Sequence, residues 1–221
     1  IYQAFQSRGK YVNDVVADLD PTASNTGGVT DDKPDEAGGE GEMPQSFDQL
    51  YVYLADYIDE NNLADSVAVE KGAAHLTIRF DDSVFFDGGS YFLKSEGREL
   101  LNGIIPALKT TQQFIRTLTV SGHTADDGTD KTGDFLLGAN RANSVYLHLK
   151  NKNTIDYTKY RMRSYGPNEP IVPNDSIENM AKNRRVEITI LKDELDLSDP
   201  DVIADILKYD FNLPTGEFDP D

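Results

Sequence analysis

The 221-residue sequence predicts an α/β fold of the α+β kind, a two-layer sandwich in which helices pack on a mixed β-sheet. Apolar residues recur at helical spacing in three blocks. Between and after those blocks they alternate with polar residues, as half-buried strands require. The resulting order, αβαβαββ, sets successive helices over one face of a single sheet.

The first helix begins near Ser46, where Ser46 and Gln49 read as a capping box. Phe47, Leu50, Leu54 and Ile58 follow as its apolar stripe, flanked by Tyr51 and Tyr57. From His75, the alternation of Leu76, Ile78 and Phe80 marks a strand. A second helix runs from about Ser95 to Lys109 and buries Leu100, Leu101, Ile104, Ile105 and Leu108. Pro106 lies inside it and is expected to kink or shorten its last turn. Leu118 and Val120 form the next strand, ended by Gly122. A third helix turns Ala139, Ala142, Val145, Tyr146 and Leu149 inward. Arg161 to Tyr165 reads as a strand closed by Gly166 and Pro167, and Val186, Ile188 and Ile190 alternate as the last one. The folded domain is thus expected at residues 46–192.

The flanks differ in composition. Residues 1–20 hold some apolar side chains and read as a short helix. Residues 21–45 are rich in Gly, Pro, Asp and Glu and cannot bury enough surface to offset their ordering entropy. Such a segment reads as a self-repelling linker, with a reach of at most about 80 Å. Residues 193–221 read as an acidic tail with one short helix, Ser198 to Phe211, capped by Ser198 with Pro200 just inside.

The net charge of −18 divides as −6 over residues 1–43, −3 over 44–192 and −9 over 193–221. The folded part is nearly balanced, so no basic face displaces counterions from nucleic acid, which is not expected as a partner. With no cysteine there is no disulfide framework and no thiolate metal site. The three histidines lack paired zinc-ligand spacing, and DDGTDKTGD departs from the twelve-residue calcium loop, so no metal is expected. No run approaches the roughly 20 apolar residues that span a bilayer. Because the chain starts at Ile1, a preceding anchor or signal is an expectation. No nucleophile elbow, phosphate-cradling loop or cysteine nucleophile is present, and carboxylate pairs are unavoidable in so acidic a chain. The chain reads as a binding protein rather than an enzyme.

Three segments carry the chemistry: VSGHTADDG at 120–128, LLGANRANSV at 136–145 and KNRRVEITI at 182–190. Gly122 ends a strand, and His123, Thr124, Asp126 and Asp127 follow in a polar turn. Asp126 and Arg141 are fifteen residues apart across a strand–loop–helix unit that can bring them to one edge of the sheet. A guanidinium offers a bidentate fork to a carboxylate, and a carboxylate accepts from an ammonium. The pair suits a zwitterionic amino-acid head, or else forms an internal salt bridge holding the loop on the helix. His123 reads as a hydrogen-bonded structural residue, and Arg184 and Arg185, where the last strand begins, read as surface charges.

These motifs resemble the OmpA-like peptidoglycan-binding domain. The resemblance rests on Gly122-His123-Thr124, Leu137-Gly138 with Arg141-Ala142, Asn183-Arg184-Arg185-Val186-Glu187 and the segment SYGPNEP at 164–170, over about residues 74–192. The run from DSVAVEKG through IRFDDSVFFDGGSYFLKSEGRELL is most similar to MotB-type stator subunits of the flagellar motor. The resemblance implies a non-catalytic wall anchor without a cofactor. Arg141 would hold a carboxylate of the stem-peptide diamino acid, and a carboxylate its amine. The family aspartate normally follows the threonine, where this chain has Ala125, so the amine role passes to Asp126, with Asp127 in reserve. Asp134 replaces the family's loop asparagine, and Thr124, Phe86 and Asp87 match positions near the ligand. A homodimer, a MotA-like membrane partner, an extracytoplasmic location, a removed N-terminal membrane helix and a channel plug within residues 1–20 are further implications. The alternatives are an envelope tether with no motor role and, more remotely, a wall hydrolase.

Overall fold

A computed structural model describes residues 43–128 and 130–211. The stretches read as a plug (1–20) and nearly all of the linker (21–45) lie outside the described residues. Helix α1 is Phe47–Glu60, and Ser46 Oγ accepts from the Gln49 amide at 3.1 Å. Gln49 Oε1 reaches back to the Gln45 amide at 2.7 Å, one residue before the cap. A hairpin follows, β1 (Val67–Lys71) and β2 (His75–Asp81). Its first strand escapes the sequence reading because five residues give too little alternation to stand out. After β2 come the one-turn helix α2 (Asp82–Phe85) and α3 (Ser95–Thr110). Helix α3 continues through Pro106. The carbonyl left without a donor belongs to Asn102, on the exposed side. The chain goes on through β3 (Ile115–His123), α4 (Lys131–Asn151), β4 (Tyr160–Gly166), α5 (Ile177–Asn183), β5 (Arg185–Lys192) and α6 (Pro200–Phe211).

The five strands form one mixed sheet in the order β1-β2-β5-β3-β4, with only β3 and β4 parallel, joined through α4. The two-layer α/β reading therefore holds. Register aligns three rows on the face beneath α1, α3 and α4: Leu76–Ile190–Leu118, Ile78–Ile188–Val120 and Phe80–Val186–Gly122. The apolar members of these rows are fully buried and anchor the core, each contributing roughly 1.5–3 kcal/mol. The third row ends on a glycine for a reason. A Cβ on Gly122 would lie 2.0 Å from the Gly138 carbonyl oxygen, and one on Gly138 would lie 2.8 Å from Ser164 Oγ. Helix α4 therefore meets β3 backbone to backbone, which brings Arg141, one turn beyond Gly138, close to the sheet.

The opposite face is polar. Thr77 and Thr189 exchange a hydroxyl hydrogen bond at 3.2 Å, and Arg79, Glu187, Ser121 and Arg163 form a cross-strand row. Helix α6 docks on one corner of it. Asp205 Oδ2 accepts from the amides of Ala74 (2.7 Å) and His75 (2.9 Å), and Val202 packs with Ala74 and Leu191. The cap of α6 is Asp199, whose carboxylate accepts from the Asp201 amide at 2.9 Å. Ser198 is instead turned onto Asp196. Proline at the first helical position leaves Asp199 as the flanking residue, one place later than expected. No helix among the described residues is long and apolar enough to cross a membrane.

Candidate functional site

Arg141 is the largest fully buried side chain of the described residues, 1% exposed. Charge at that depth needs partners. Its Nη2 pairs with Asp82 Oδ2 at 3.0 Å, its Nε donates to the Ser90 carbonyl at 2.9 Å, and its guanidinium carbon lies 5.2 Å from the Phe86 ring centroid. Among the described residues, Arg141 Nη1 and Asp82 Oδ1 are buried with no hydrogen-bond partner. Asp82 is 8% exposed. Burial raises its carboxyl above the usual range, while Arg141 and Arg184 act against that shift. Burial likewise lowers Arg141, opposed by Asp82.

Short connections place these groups. Asp82 opens α2 directly after β2, its amide bound to the Arg184 carbonyl at 3.1 Å. The segment 87–94 crosses Arg141 at Ser90 and is pinned again by Ser144 Oγ, which donates to the Tyr91 carbonyl at 2.6 Å. Thr124 is buried, its amide donating to the Gly166 carbonyl at 2.9 Å, while its hydroxyl has no described partner.

The anticipated Asp126–Arg141 pair does not form. Asp126 Oδ1 accepts from the Gly128 amide at 2.9 Å, and its Oδ2 pairs with Lys131 at 3.0 Å. These contacts hold its carboxyl below the usual range, the Gly128 amide first. The internal salt bridge considered from sequence is real for Arg141, but its acid is Asp82. The physical cause is local. Ala125 is buried, and the residue after it closes an aspartate turn onto the start of α4. Asp127 and Asp87 are exposed, and Phe86 is buried against Arg141. Asp134 is half-buried, and desolvation, then Asp127, Asp130 and Asp126, raise its carboxyl. Of the anticipated residues, the structure thus joins Arg141 with Phe86, while Asp126 is engaged by Lys131 and the Gly128 amide; Asp134 lies within electrostatic reach of both Asp126 and Arg141.

Sequence reading missed Asp82 and Ser90. The available signal was an acid directly after an apolar-alternating strand and before Val-Phe-Phe, where a carboxylate is surrounded by core residues. It also took Arg185 for a surface charge, whereas the residue is 3% exposed. Arg185 Nε donates to Glu187 at 2.7 Å, Nη1 to the Asn183 carbonyl and Nη2 to the Glu169 carbonyl. Asn183 is buried too, accepting from the amides of Ile171 and Val172. The motif there ties the 167–175 loop to β5. His123 stacks on Tyr165 (centroids 4.9 Å, 17°), with Nε2 3.6 Å from Glu187, beyond hydrogen-bond length but close enough for charge to matter.

Residues 85–184, which span α3, α4 and the loops around Arg141, match the OmpA family. That stretch of the chain is similar to the OmpA family. Relatives include the probable lipoprotein YiaD of Escherichia coli, 33% identical over 129 residues and covering 56% of this chain and 55% of YiaD. Motility protein B of Bacillus subtilis is 28% identical over 152 residues, covering 66% of this chain and 57% of that protein. Among solved structures, the cell wall anchor of the T6SS from Pseudomonas aeruginosa superposes with a TM-score of 0.55 at 26% identity. It covers 63% of this chain and 97% of its own. The chain thus spans little more than half the length of these curated relatives. They include both a motility protein and a probable lipoprotein.

Proposed function

We propose that this chain is the wall-binding part of a MotB-like stator protein, a non-catalytic anchor that holds peptidoglycan outside the cytoplasmic membrane. The observation that carries the reading is Arg141, a buried guanidinium fixed on two sides and left with a free Nη1. A structural arginine at that depth normally spends all its donors on the protein. One held ready and incompletely used suits a carboxylate supplied from outside, here a carboxylate of the stem-peptide diamino acid. Phe86 lies against that guanidinium, the next residue, Asp87, is exposed, and Thr124 holds a buried hydroxyl without a described partner. The resemblance to Motility protein B supports the motor role. With it come a homodimer, a MotA-like partner, a preceding membrane helix, a plug within residues 1–20 and a linker over 21–45 that spans towards the wall.

Retention on purified insoluble peptidoglycan tests the anchor. Wild type should sediment with the wall material and Arg141→Ala should stay in solution; equal retention of both would refute the site. The likeness to YiaD favours a second reading, a lipoprotein-like envelope tether. Deleting the complete gene separates the two, because loss of swimming with an intact envelope supports the stator and leakiness with normal swimming supports the tether.

A further inference from the structure

We infer that His123 is a proton-sensitive pin for the turn at 124–128, so that acidification opens this turn and weakens wall binding. The opening is a property of the fold, and its consequence for binding rests on the wall-anchor reading.

His123 closes β3. Its pairing with Gly166 is the last of the β3–β4 ladder and follows a register shift after Gly122. Beyond it, the Thr124 amide donates to the Gly166 carbonyl at 2.9 Å. The Asp126 amide donates to Asn174 Oδ1 at 3.3 Å, and Asn183 Nδ2 donates to that same oxygen at 2.8 Å. These two amides fasten the turn to the end of β4 and to the segment after it. The chain then enters α4, which carries Arg141. Strand ends of this kind open locally at lower cost than strand centres.

The His123 side chain is buried, yet neither ring nitrogen has a hydrogen-bond partner among the described residues. Stacking on Tyr165 holds the ring in place. Charged groups approach it from every neighbouring strand. On β5, Arg185 is its register partner, and Glu187 lies one row further in. Glu187 Oε1 already accepts from Arg185 Nε at 2.7 Å and Arg79 Nε at 3.1 Å, and its Oε2 stays 3.6 Å from His123 Nε2. On β2, Asp81 stands opposite Arg185 in the same row, with Arg79 in the next. On β4, Arg163 donates to the Tyr165 hydroxyl at 3.3 Å, and Glu169 follows in the segment after it.

An imidazolium carries two N–H donors. This pocket gives Nε2 a carboxylate oxygen beyond bonding distance and gives Nδ1 no acceptor. Protonation therefore leaves buried N–H groups unsatisfied, a cost that water relieves once the turn opens. Burial is the leading cause that lowers the ring's pKa; Arg185 adds to it, while Glu187 and Glu169 oppose it. In the opened turn the ring returns to about 6.5. Below that pH the open form binds a proton that the closed form refuses. Opening then gains up to about tenfold per pH unit, until the closed ring titrates as well.

The test follows the 221-residue chain by NMR between about pH 7.5 and 5.5, alongside sedimentation with peptidoglycan. In wild type, amide-exchange protection at Thr124, corrected for intrinsic rates, should fall by up to about tenfold per unit below roughly pH 6.5. Peptidoglycan retention should decline over the same range. His123→Gln, and His123→Phe, which keeps an aromatic ring against Tyr165, should flatten both profiles. His148→Gln should keep the wild-type slopes. A Thr124 profile that retains its slope in whichever His123 variant folds overturns the inference. So does wild-type protection that stays flat while the His123 ring signals titrate, a result that needs no variant. Retention that declines equally in wild type and the His123 variants overturns the link to binding. A wild type that binds no peptidoglycan at any pH, with Thr124 protection still set by His123, overturns the wall-anchor reading and supports the pin.

Discussion

Two buried arginines at opposite faces of one sheet have different fates. Arg185 spends Nε on Glu187, Nη1 on the Asn183 carbonyl and Nη2 on the Glu169 carbonyl. Glu187 also meets Arg79 at 3.1 Å and has His123 at 3.6 Å. Burial alone would raise its carboxyl, yet His123 and Arg185 hold it well below the usual range. Arg141 has one carboxylate and one carbonyl, and its acid is shifted the other way, upward. Both are buried cations, but Arg185 has a partner on each of its three nitrogens, whereas Arg141 Nη1 is buried without a described partner.

The largest effect that would sharpen this contrast is on stability. Arg185→Ala strips Glu187 of its shortest partner and should cost about 3–5 kcal/mol in denaturant unfolding. Arg141→Ala should cost less, roughly 1–3 kcal/mol, because its guanidinium holds one carboxylate and one carbonyl and its Nη1 makes no bond to lose. Equal losses would erase the distinction. Gly122→Ala comes next. Its Cβ would collide with the Gly138 carbonyl, and pushing α4 off β3 should destabilise by about 1–3 kcal/mol and displace Arg141. Chemical-shift changes that reach Ser90 would show the second effect.

Asp205→Ala should cost about 1–2 kcal/mol, since it leaves the amides of Ala74 and His75 unsatisfied when α6 loosens. Peptidoglycan retention should be unchanged, because α6 lies on the face away from Arg141. The smallest effect is with pH. Burial lowers the folded pKa of His123 below the value of about 6.5 in the unfolded chain. Below that pH the unfolded state binds a proton that the folded state refuses, so stability falls with acidification and is flat above it. His123→Gln should flatten the melting-temperature slope between pH 7 and 5.5. A slope equal to wild type would assign the effect elsewhere, His148 being shifted in the same direction.

The helices and most of the sheet were legible because periodicity is a local property. Phe47 to Ile58, Leu100 to Leu108 and Val186 to Ile190 each carry their own face in the spacing of apolar residues. β1 was not legible, since Val67–Lys71 is too short to show a period, and neither was the cap of α6, where two candidate side chains differ by one position. The OmpA resemblance likewise lay in short motifs readable along the chain.

What the sequence by itself determined is the succession of α1, β2, α3, β3, α4, β4 and β5, the apolar face of the longer elements and the presence of Arg141 on α4. Only the tertiary structure decided which acid meets it. Spacing along the chain nominated Asp126. The choice depended on Gly122 and Gly138 letting α4 settle on β3, on β2 delivering Asp82 to the same end of the sheet, and on Lys131 drawing Asp126 away. Pairing between charges is set by distance and desolvation in three dimensions, and neither is a property of neighbouring letters.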